Sequence, residues 1–523
     1  MTRKFVAQYK SSKNEETTIS RREGLNEKKD RWLSLPTELT IAIFLICHAM
    51  DSTTHDMHPS RSHSQLPIEF ILSSTCRRWR DLALYLPGLW KRFKFNIAGD
   101  VGYAPILDPK ELHIYEERSG GQLEDVCIDI VETDYQEEYI EFVNEIFEKH
   151  SQSLRHFTLI GKGGFSISSH FSYLFPNKSV PNLEYLTLLS SLKGDITDYD
   201  HVIENIEPLL FQNGAPKSQY LRCDGVVAGY GFPPTTNLSI LQIEDNGYLY
   251  CVMSIEALRP LLLLPLLENL SLFIPHLMLE WPTRNTPNFP ISMLRLKNIR
   301  LCNKHAKFEH LLPLLKAPCL EYVTLKSFSA GTLSKLQKLR SESPNSFPNV
   351  HDLILINCKT STTPQCSTYK SLFPSVRLLT VWPALGSVQL FTMWNSLQRA
   401  TFNCNKDLRP SLIKRPKPTS TILTLRVPLE CLDAWQKTNE KEPSVFFEPP
   451  TQLNDEESFL PRHWPQNGLE TGGFRVMPYE NSFNCSCAVS LKARLKTCLR
   501  PLQFIGHFKR PRLLTRVKHR LFT

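Results

Sequence analysis

The side chains best suited to chemistry fall in three places. His48, Asp51, His55, Asp56, His58 and His63 crowd one polar stretch, and imidazoles beside carboxylates are a donor set that zinc accepts. Their spacing matches no fixed ligand motif, and a metal site needs neighbours that hold its ligands in place; the stretch reads as a solvated loop. Gly161-Lys162-Gly163-Gly164 has the composition of a phosphate loop without its order, in which lysine and a hydroxyl follow the second glycine. It reads as a turn. The third place is the segment Leu491 to Thr523, with ten Lys or Arg and no acid. Such a tail neutralises nucleic-acid phosphates, acts as a nuclear signal around Lys509-Arg510-Pro511-Arg512, or is a solvated terminus. The last is the plainest reading, because Phe504, Phe508 and Phe522 form no stacking pattern.

No Gly-x-Ser-x-Gly elbow, His-Glu-x-x-His helix or Gly-x-Gly-x-x-Gly loop is present, so no nucleophile, zinc hydrolase or dinucleotide site is signalled. The 14 cysteines include no Cys-x-x-Cys pair and read as reduced, mostly buried thiols. The sequence thus calls for no catalytic, metal or cofactor-binding residue and no cofactor, and an enzyme in a degenerate α/β domain is the least favoured reading.

The elements that frame these residues belong to a chain of 523 residues, 41% hydrophobic and 22% charged, enough for two or three globular domains or one long repeat array. The net charge of +9 is uneven: the last 33 residues carry +10, residues 1–32 carry +4, and the body from 33 to 490 carries −5. The body is mildly acidic, so nucleic acid is expected to bind only through the tail. The N-terminus lacks the apolar stretch of a signal peptide, and the run Leu261–Leu267, broken by Pro265, is far short of the ~20 residues of a membrane span. A soluble cytoplasmic or nuclear protein, with no membrane partner, is expected.

Between residues 96 and 430 a short phrase recurs with apolar residues at positions 1, 4 and 6: Leu123/Val126/Ile128, Leu154/Phe157/Leu159, Leu183/Leu186/Leu188, Leu238/Leu241/Ile243 and Leu267/Leu270/Leu272. It continues through Leu296/Ile299/Leu301, Leu320/Val323/Leu325, Val350/Leu353/Leu355, Val376/Leu379/Val381 and Leu397/Ala400/Phe402. The starts lie 21 to 31 residues apart except for one gap of 55, which hides a degenerate unit near Ser218/Leu221/Cys223. Alternation at positions 4 and 6 predicts a short strand with one buried face. Pro181, Pro318, Pro348 and Pro374 introduce four of the phrases, and helical patterns such as Tyr139–Lys149 and Val202–Phe211 lie between them. Strand alternating with helix at this period predicts parallel strands in stacked units, an α/β solenoid. An ordinary α/β domain with leucine-rich strands is the alternative. The phrase resembles the leucine-rich repeat. At that repeat's Asn/Cys position Asn246, Cys358 and Asn405 match, whereas Ser191, Pro275, Lys304 and Phe328 depart, so an irregular arc is expected.

Residues 33–95 have another texture. Leu35-Pro36-Thr37-Glu38 sets proline and an acid in the first turn of a helix, where the missing N–H and the helix dipole favour them. Leu39, Ile43 and Phe44 follow at helical spacing, and a polar insertion from 47 to 65 leads to a second helix from Pro67 to Leu84. Pro87-Gly88 stops it and Leu89-Trp90 closes the unit. Leu35-Pro-x-Glu-Leu-x-x-x-Ile-Phe, then Cys76-Arg-Arg-Trp79-Arg-Asp-Leu82-Ala, then Pro87-Gly-Leu-Trp90 resembles an F-box, in the F-box-like form common in fungal proteins.

That resemblance implies a docking unit for the Skp-type adaptor of a cullin-based ubiquitin ligase. Leu35, Pro36, Leu39, Ile43 and Phe44 would supply apolar adaptor contacts, while Cys76, Trp79, Leu82 and Trp90 would form the core. The chain would then be a non-catalytic substrate receptor of an SCF-type (Skp–cullin–F-box) ligase, with an unidentified target protein on the repeat arc. The alternative is a repeat scaffold outside any ligase, its tail serving nuclear localisation or nucleic-acid contact. Residues 1–32 read as a charged, disordered arm and residues 431–523 as an irregular region ending in the basic tail 491–523.

Overall fold

The computed structural model describes residues 35–56, 67–97, 109–131, 136–163, 175, 177–192, 201–203, 210–223, 232–234, 236–244, 251–274, 277–281, 290–304, 306–342, 347–358, 363–382, 394, 396–403, 422–426 and 445–448. All lie in one compact unit. The arm 1–32 and the basic tail 491–523 fall outside the described residues.

Three helices come first: α1 (Thr37–Asp56), α2 (Ile68–Thr75) and α3 (Arg77–Leu84). The strand Arg92–Ile97 then opens a parallel sheet of 14 strands whose spatial order is the chain order. It runs through Asp125–Val131, His156–Gly163, Tyr185–Leu192, Tyr220–Cys223, Ile240–Glu244, Asn269–Phe273 and Asn298–Cys302. Tyr322–Lys326, Asp352–Ile356, Leu378–Trp382, Arg399–Asn403, Ile422–Arg426 and Val445–Glu448 complete it. Helices such as α4 (Pro109–Ser119) and α5 (Gln136–His150) alternate with the strands. The described residues form no closed barrel.

Register follows the leucine phrase. Position 4 gives a continuous row, Val126, Phe157, Leu186, Leu221, Leu241, Leu270, Ile299, Val323, Leu353, Leu379 and Ala400, each paired with the next. Every member is buried, because alternate strand residues share one face and that face meets the helices. The unit expected near Leu221 and Cys223 is the strand Tyr220–Cys223.

Polar residues on the strand lead-ins tie neighbouring units together. Asn182, Asn237 and Asn349 donate side-chain amides to the carbonyls of Gln152 (2.6 Å), Pro216 (2.5 Å) and Pro318 (2.7 Å) in the preceding unit. Beyond the strands, the Cys358 thiol donates to the Leu325 carbonyl at 3.3 Å. The role not matched at Lys304 is taken one residue earlier, where the buried Asn303 accepts from the Phe308 amide and donates to Glu309 at 3.1 Å.

Four expectations are corrected. The boundary at 95 cuts through the strand Arg92–Ile97, which pairs with Asp125–Val131 and belongs to the sheet. One apolar core runs from Phe44 to Ala400, so the helices and the sheet are not separately cored. The sheet also passes 430, since Val445–Glu448 pairs with Ile422–Arg426. Of the helical pattern at Val202–Phe211, Val202 and Ile203 instead belong to the strand His201–Ile203, part of a second, three-stranded sheet with Cys251–Ser254 and Leu277–Glu280, and Leu210 and Phe211 to a turn; residues 204–209 lie outside the described residues. Finally Gly161, Lys162 and Gly163 end the strand His156–Gly163 and pair with Ser190, Ser191 and Leu192, where a turn was expected.

Candidate functional site

The N-terminal helices are built around two aromatic anchors. Trp90 is fully buried, donates its indole N–H to the Ala83 carbonyl at 2.9 Å, and meets the rings of Phe70 and Tyr115 edge-on, both at 5.5 Å. The Arg118 guanidinium lies 4.2 Å from its ring centre. Phe44 is fully buried and meets Trp79 edge-on at 5.1 Å. An aromatic edge set against an aromatic face satisfies the ring quadrupoles, so these pairs fix how the three helices cross. The extended backbone of Cys76 separates α2 from α3, and its sulfur accepts the Trp79 amide N–H at 3.5 Å. Cys76, Trp79 and Leu82 are half-buried.

The first helix is longer than expected, because it continues from Cys47 to Asp56 through the first half of the insertion. Thr40, Phe44 and His48, four residues apart, face inward, at 1%, 0% and 9% exposed. Pro36, Leu39, Ile43 and Ile46 follow the complementary spacing and make the outer stripe, with Leu39 53% and Ile46 46% exposed. Leu35 is half-buried and its carbonyl accepts from Arg78 Nη2 at 2.8 Å, which ties the start of α1 to α3. Phe44, expected among the adaptor contacts, therefore lies inside the unit and supports the stripe from behind.

Sequence reasoning missed Ile46, Leu84 and Tyr85. Ile46 lies one heptad after Leu39 and three residues after Ile43, the spacing that could have placed it on the same stripe. Tyr85, 87% exposed, borders an open cavity of about 620 Å³ lined by Cys76, Arg77, Arg78, Asp81 and Leu82. Leu84 is also exposed, and two arginines, Arg77 and Arg78, line the cavity.

The sheet offers a second polar surface opposite the leucine rows. Arg222, Gln242, Ser271, Arg300 and Thr324 are register partners on successive strands. Glu244 accepts from Ser271 at 2.6 Å and from Arg300 Nη1 at 2.5 Å, with Arg222 3.8 Å away. Burial works to raise the Glu244 carboxyl, but Arg300, Arg222 and these hydrogen bonds outweigh it and hold the pKa below the usual carboxylate value. Arg300 also lies 4.5 Å from the ring centre of Phe273, with Lys326 at 4.9 Å from the same ring. The centre of this face is buried, whereas Thr158, Tyr185 and Thr187 on one side and Tyr322, Asp352 and Ile354 on the other are half-exposed.

Among the described residues no group of three His, Cys, Asp or Glu is placed to hold a metal ion, and no helix is long and apolar enough to cross a membrane. His48 is buried in α1; the side chains of Asp51, His55 and Asp56, and the residues His58 and His63, lie outside the description. The arrangement is that of a parallel repeat sheet preceded by a helical unit that is apolar on its outer side. No family model and no curated protein matches the chain.

Proposed function

We propose that the chain is the substrate-receptor subunit of an SCF-type ubiquitin ligase, with an F-box-like unit over its first three helices and a leucine-rich-repeat-like arc over the sheet. The observation that carries this reading is the outer stripe of α1. Burying an exposed leucine or isoleucine contributes about 1.5–3 kcal/mol, and a helix that keeps Pro36, Leu39, Ile43 and Ile46 outward while Phe44 and His48 lock its other face has a side to offer a partner. Leu35, Pro36, Leu39 and Ile43 are assigned to the Skp-type adaptor, and Cys76, Trp79, Leu82 and Trp90, with Phe44, to the core that holds them. The half-exposed flanks of the polar sheet face are assigned to the target protein. No covalent step belongs to this chain: by holding adaptor and target together it raises the target's effective concentration beside a ubiquitin-charged enzyme.

Co-purification of the full chain with an adaptor tests the reading. Retention by the wild type, with at least tenfold loss in Leu39→Asp at unchanged thermal stability, supports it. Failure of the wild type to retain any Skp-type adaptor refutes it and leaves the non-ligase scaffold, whose own test is salt-dependent nucleic-acid binding with and without residues 491–523.

A further inference from the structure

The second, three-stranded sheet has an open side. Its strands pair in parallel, with Cys251–Ser254 in the middle, His201–Ile203 along one edge and Leu277–Glu280 along the other. Met253 and Leu279 are register partners and both are buried in the main apolar core, so one face of this sheet is packed. Met278 and Glu280, two residues apart on the edge strand, share the opposite face. Met278 is 44% exposed there, and Glu280 is exposed as well.

The ladder stops at Leu277–Glu280 because the next unit supplies no fourth strand. After Asn298–Cys302 the chain turns instead: the Asn303 side chain accepts the Phe308 amide N–H, and the Lys307 carbonyl accepts that of His310. This turn meets the preceding unit just past the edge strand, where Trp281 donates its indole N–H to the Ala306 carbonyl at 3.4 Å and its ring lies 5.3 Å from that of His310. Among the described residues no backbone hydrogen bond reaches the outer side of Leu277–Glu280. Peptide groups of a strand point alternately to either side, so those of an edge strand that face outward are a template for another extended chain. Glu280 sets a negative charge at the end of that template.

We propose that the edge Leu277–Glu280 is a docking site for an extended peptide segment of a partner protein, which joins the second sheet as a fourth strand. Backbone pairing supplies the seat, and the alternation of a strand supplies the selectivity. The incoming residue beside Met278 is apolar and the one beside Glu280 is Lys or Arg, with a single residue between them. That middle residue turns to the Leu279 side and is apolar too. Proline, which has no N–H to give the ladder, is disfavoured. The site is separate from the N-terminal helices and does not depend on what α1 binds.

The test is selection of random heptapeptides displayed on phage against the immobilised full-length chain, followed by affinity measurements on the enriched sequences as synthetic fluorescein-labelled peptides. Proline-free sequences with an apolar residue and a Lys or Arg two positions apart, in either chain direction, are expected to be enriched. Glu280→Lys changes an exposed side chain and leaves the fold intact. It should weaken these peptides roughly threefold to tenfold, as an exposed pair turned from attraction to repulsion does. A peptide with Glu in place of its Lys or Arg should recover that loss in the variant. Hydrogen exchange read by mass spectrometry locates the seat: bound peptide should slow exchange over residues 277–281 and leave the strand Asp352–Ile356 unchanged. Selection of no peptide, affinities equal in wild type and Glu280→Lys, or binding that leaves exchange at 277–281 unaltered overturns the proposal.

Discussion

Replacing Phe44 with alanine separates the inner face of α1 from its outer stripe. The ring is fully buried and meets Trp79 edge-on at 5.1 Å. Truncating a buried phenylalanine costs about 3–5 kcal/mol, of which the aromatic pair supplies roughly 1. Leu39 lies only four residues away along the stripe, but it is 53% exposed, and Leu39→Ala is expected to cost about 0.5–1 kcal/mol. In a stacked array the terminal elements loosen without global unfolding, so the loss is best read locally. Under conditions where opening is faster than cleavage, protease cuts within residues 35–90 should appear at least a hundredfold faster in Phe44→Ala than in wild type, since every 1.4 kcal/mol is tenfold. Leu39→Ala should be cut less than tenfold faster, yet lose adaptor retention if the outer stripe is the docking face. Equal cleavage of Phe44→Ala and wild type would refute the inward assignment of Phe44, and cleavage of Leu39→Ala as fast as Phe44→Ala would refute the division into two faces.

Three further outcomes follow from the sheet. Glu244→Gln leaves Arg300, 2% exposed, without its carboxylate and should lower stability by about 3–5 kcal/mol at pH 7, read from urea midpoints. Because the folded pKa of Glu244 lies below its unfolded value near 4.5, its contribution is complete above that value and is lost as pH falls through the folded one. The gap between wild type and variant must therefore shrink in acid. Arg155→Glu sets an acid between Glu124 and Glu184; these side chains are partly exposed and screened, so a loss of about 1 kcal/mol is expected, partly recovered by adding Glu184→Arg in a double-mutant cycle. Cys358, whose thiol burial pushes up to about 11, should be alkylated at pH 8 roughly two orders of magnitude more slowly than an ordinary accessible thiol, with the exposed Cys319 as internal comparison in peptide mass spectrometry.

The repeat sheet was legible because its signal is redundant. Positions 4 and 6 are both buried in every phrase from Val126/Ile128 to Leu379/Val381, so a shift by one residue would turn every leucine outward, and even the degenerate Leu221/Cys223 unit keeps that alternation. What stayed hidden lacked the phrase. Arg92–Ile97 carries phenylalanines at the core positions, and Phe93 and Phe95 sit close enough to Trp90 in sequence to read as the end of the helical unit, although they pair with Val126 and Ile128. Val445–Glu448 offers only four residues, and His201–Ile203 only three, too few for either period to be distinguished. On α1 the inward face carries Thr40 and His48 beside Phe44 while the outward stripe is apolar, so apolar spacing alone grouped Phe44 with the outward residues. Its edge-on packing against Trp79 of α3 places it inside.

The leucine rows cannot by themselves decide which strand lies beside which, since leucine packs on leucine equally well in any order. The residues just before two runs of strands break that degeneracy. Lys91, Glu124, Arg155 and Glu184 precede the first four strands and alternate in sign, with Lys91 bonded to Glu124 and Arg155 reaching Glu184 through two hydrogen bonds of 3.0 and 3.1 Å. Glu268, Lys297 and Glu321 repeat the alternation further on, with Lys297 to Glu268 at 2.8 Å, and His351 Nε2 lies 3.9 Å from Glu321. Each pair is exposed enough to add little stability. Exchange of the units opening with Glu184 and Arg155 would nonetheless set Glu184 beside Glu124, and the cost of that mispairing recurs along the row. Apolar phrases thus set the depth and register of each strand, and the charged lead-ins favour the order in which the strands stack.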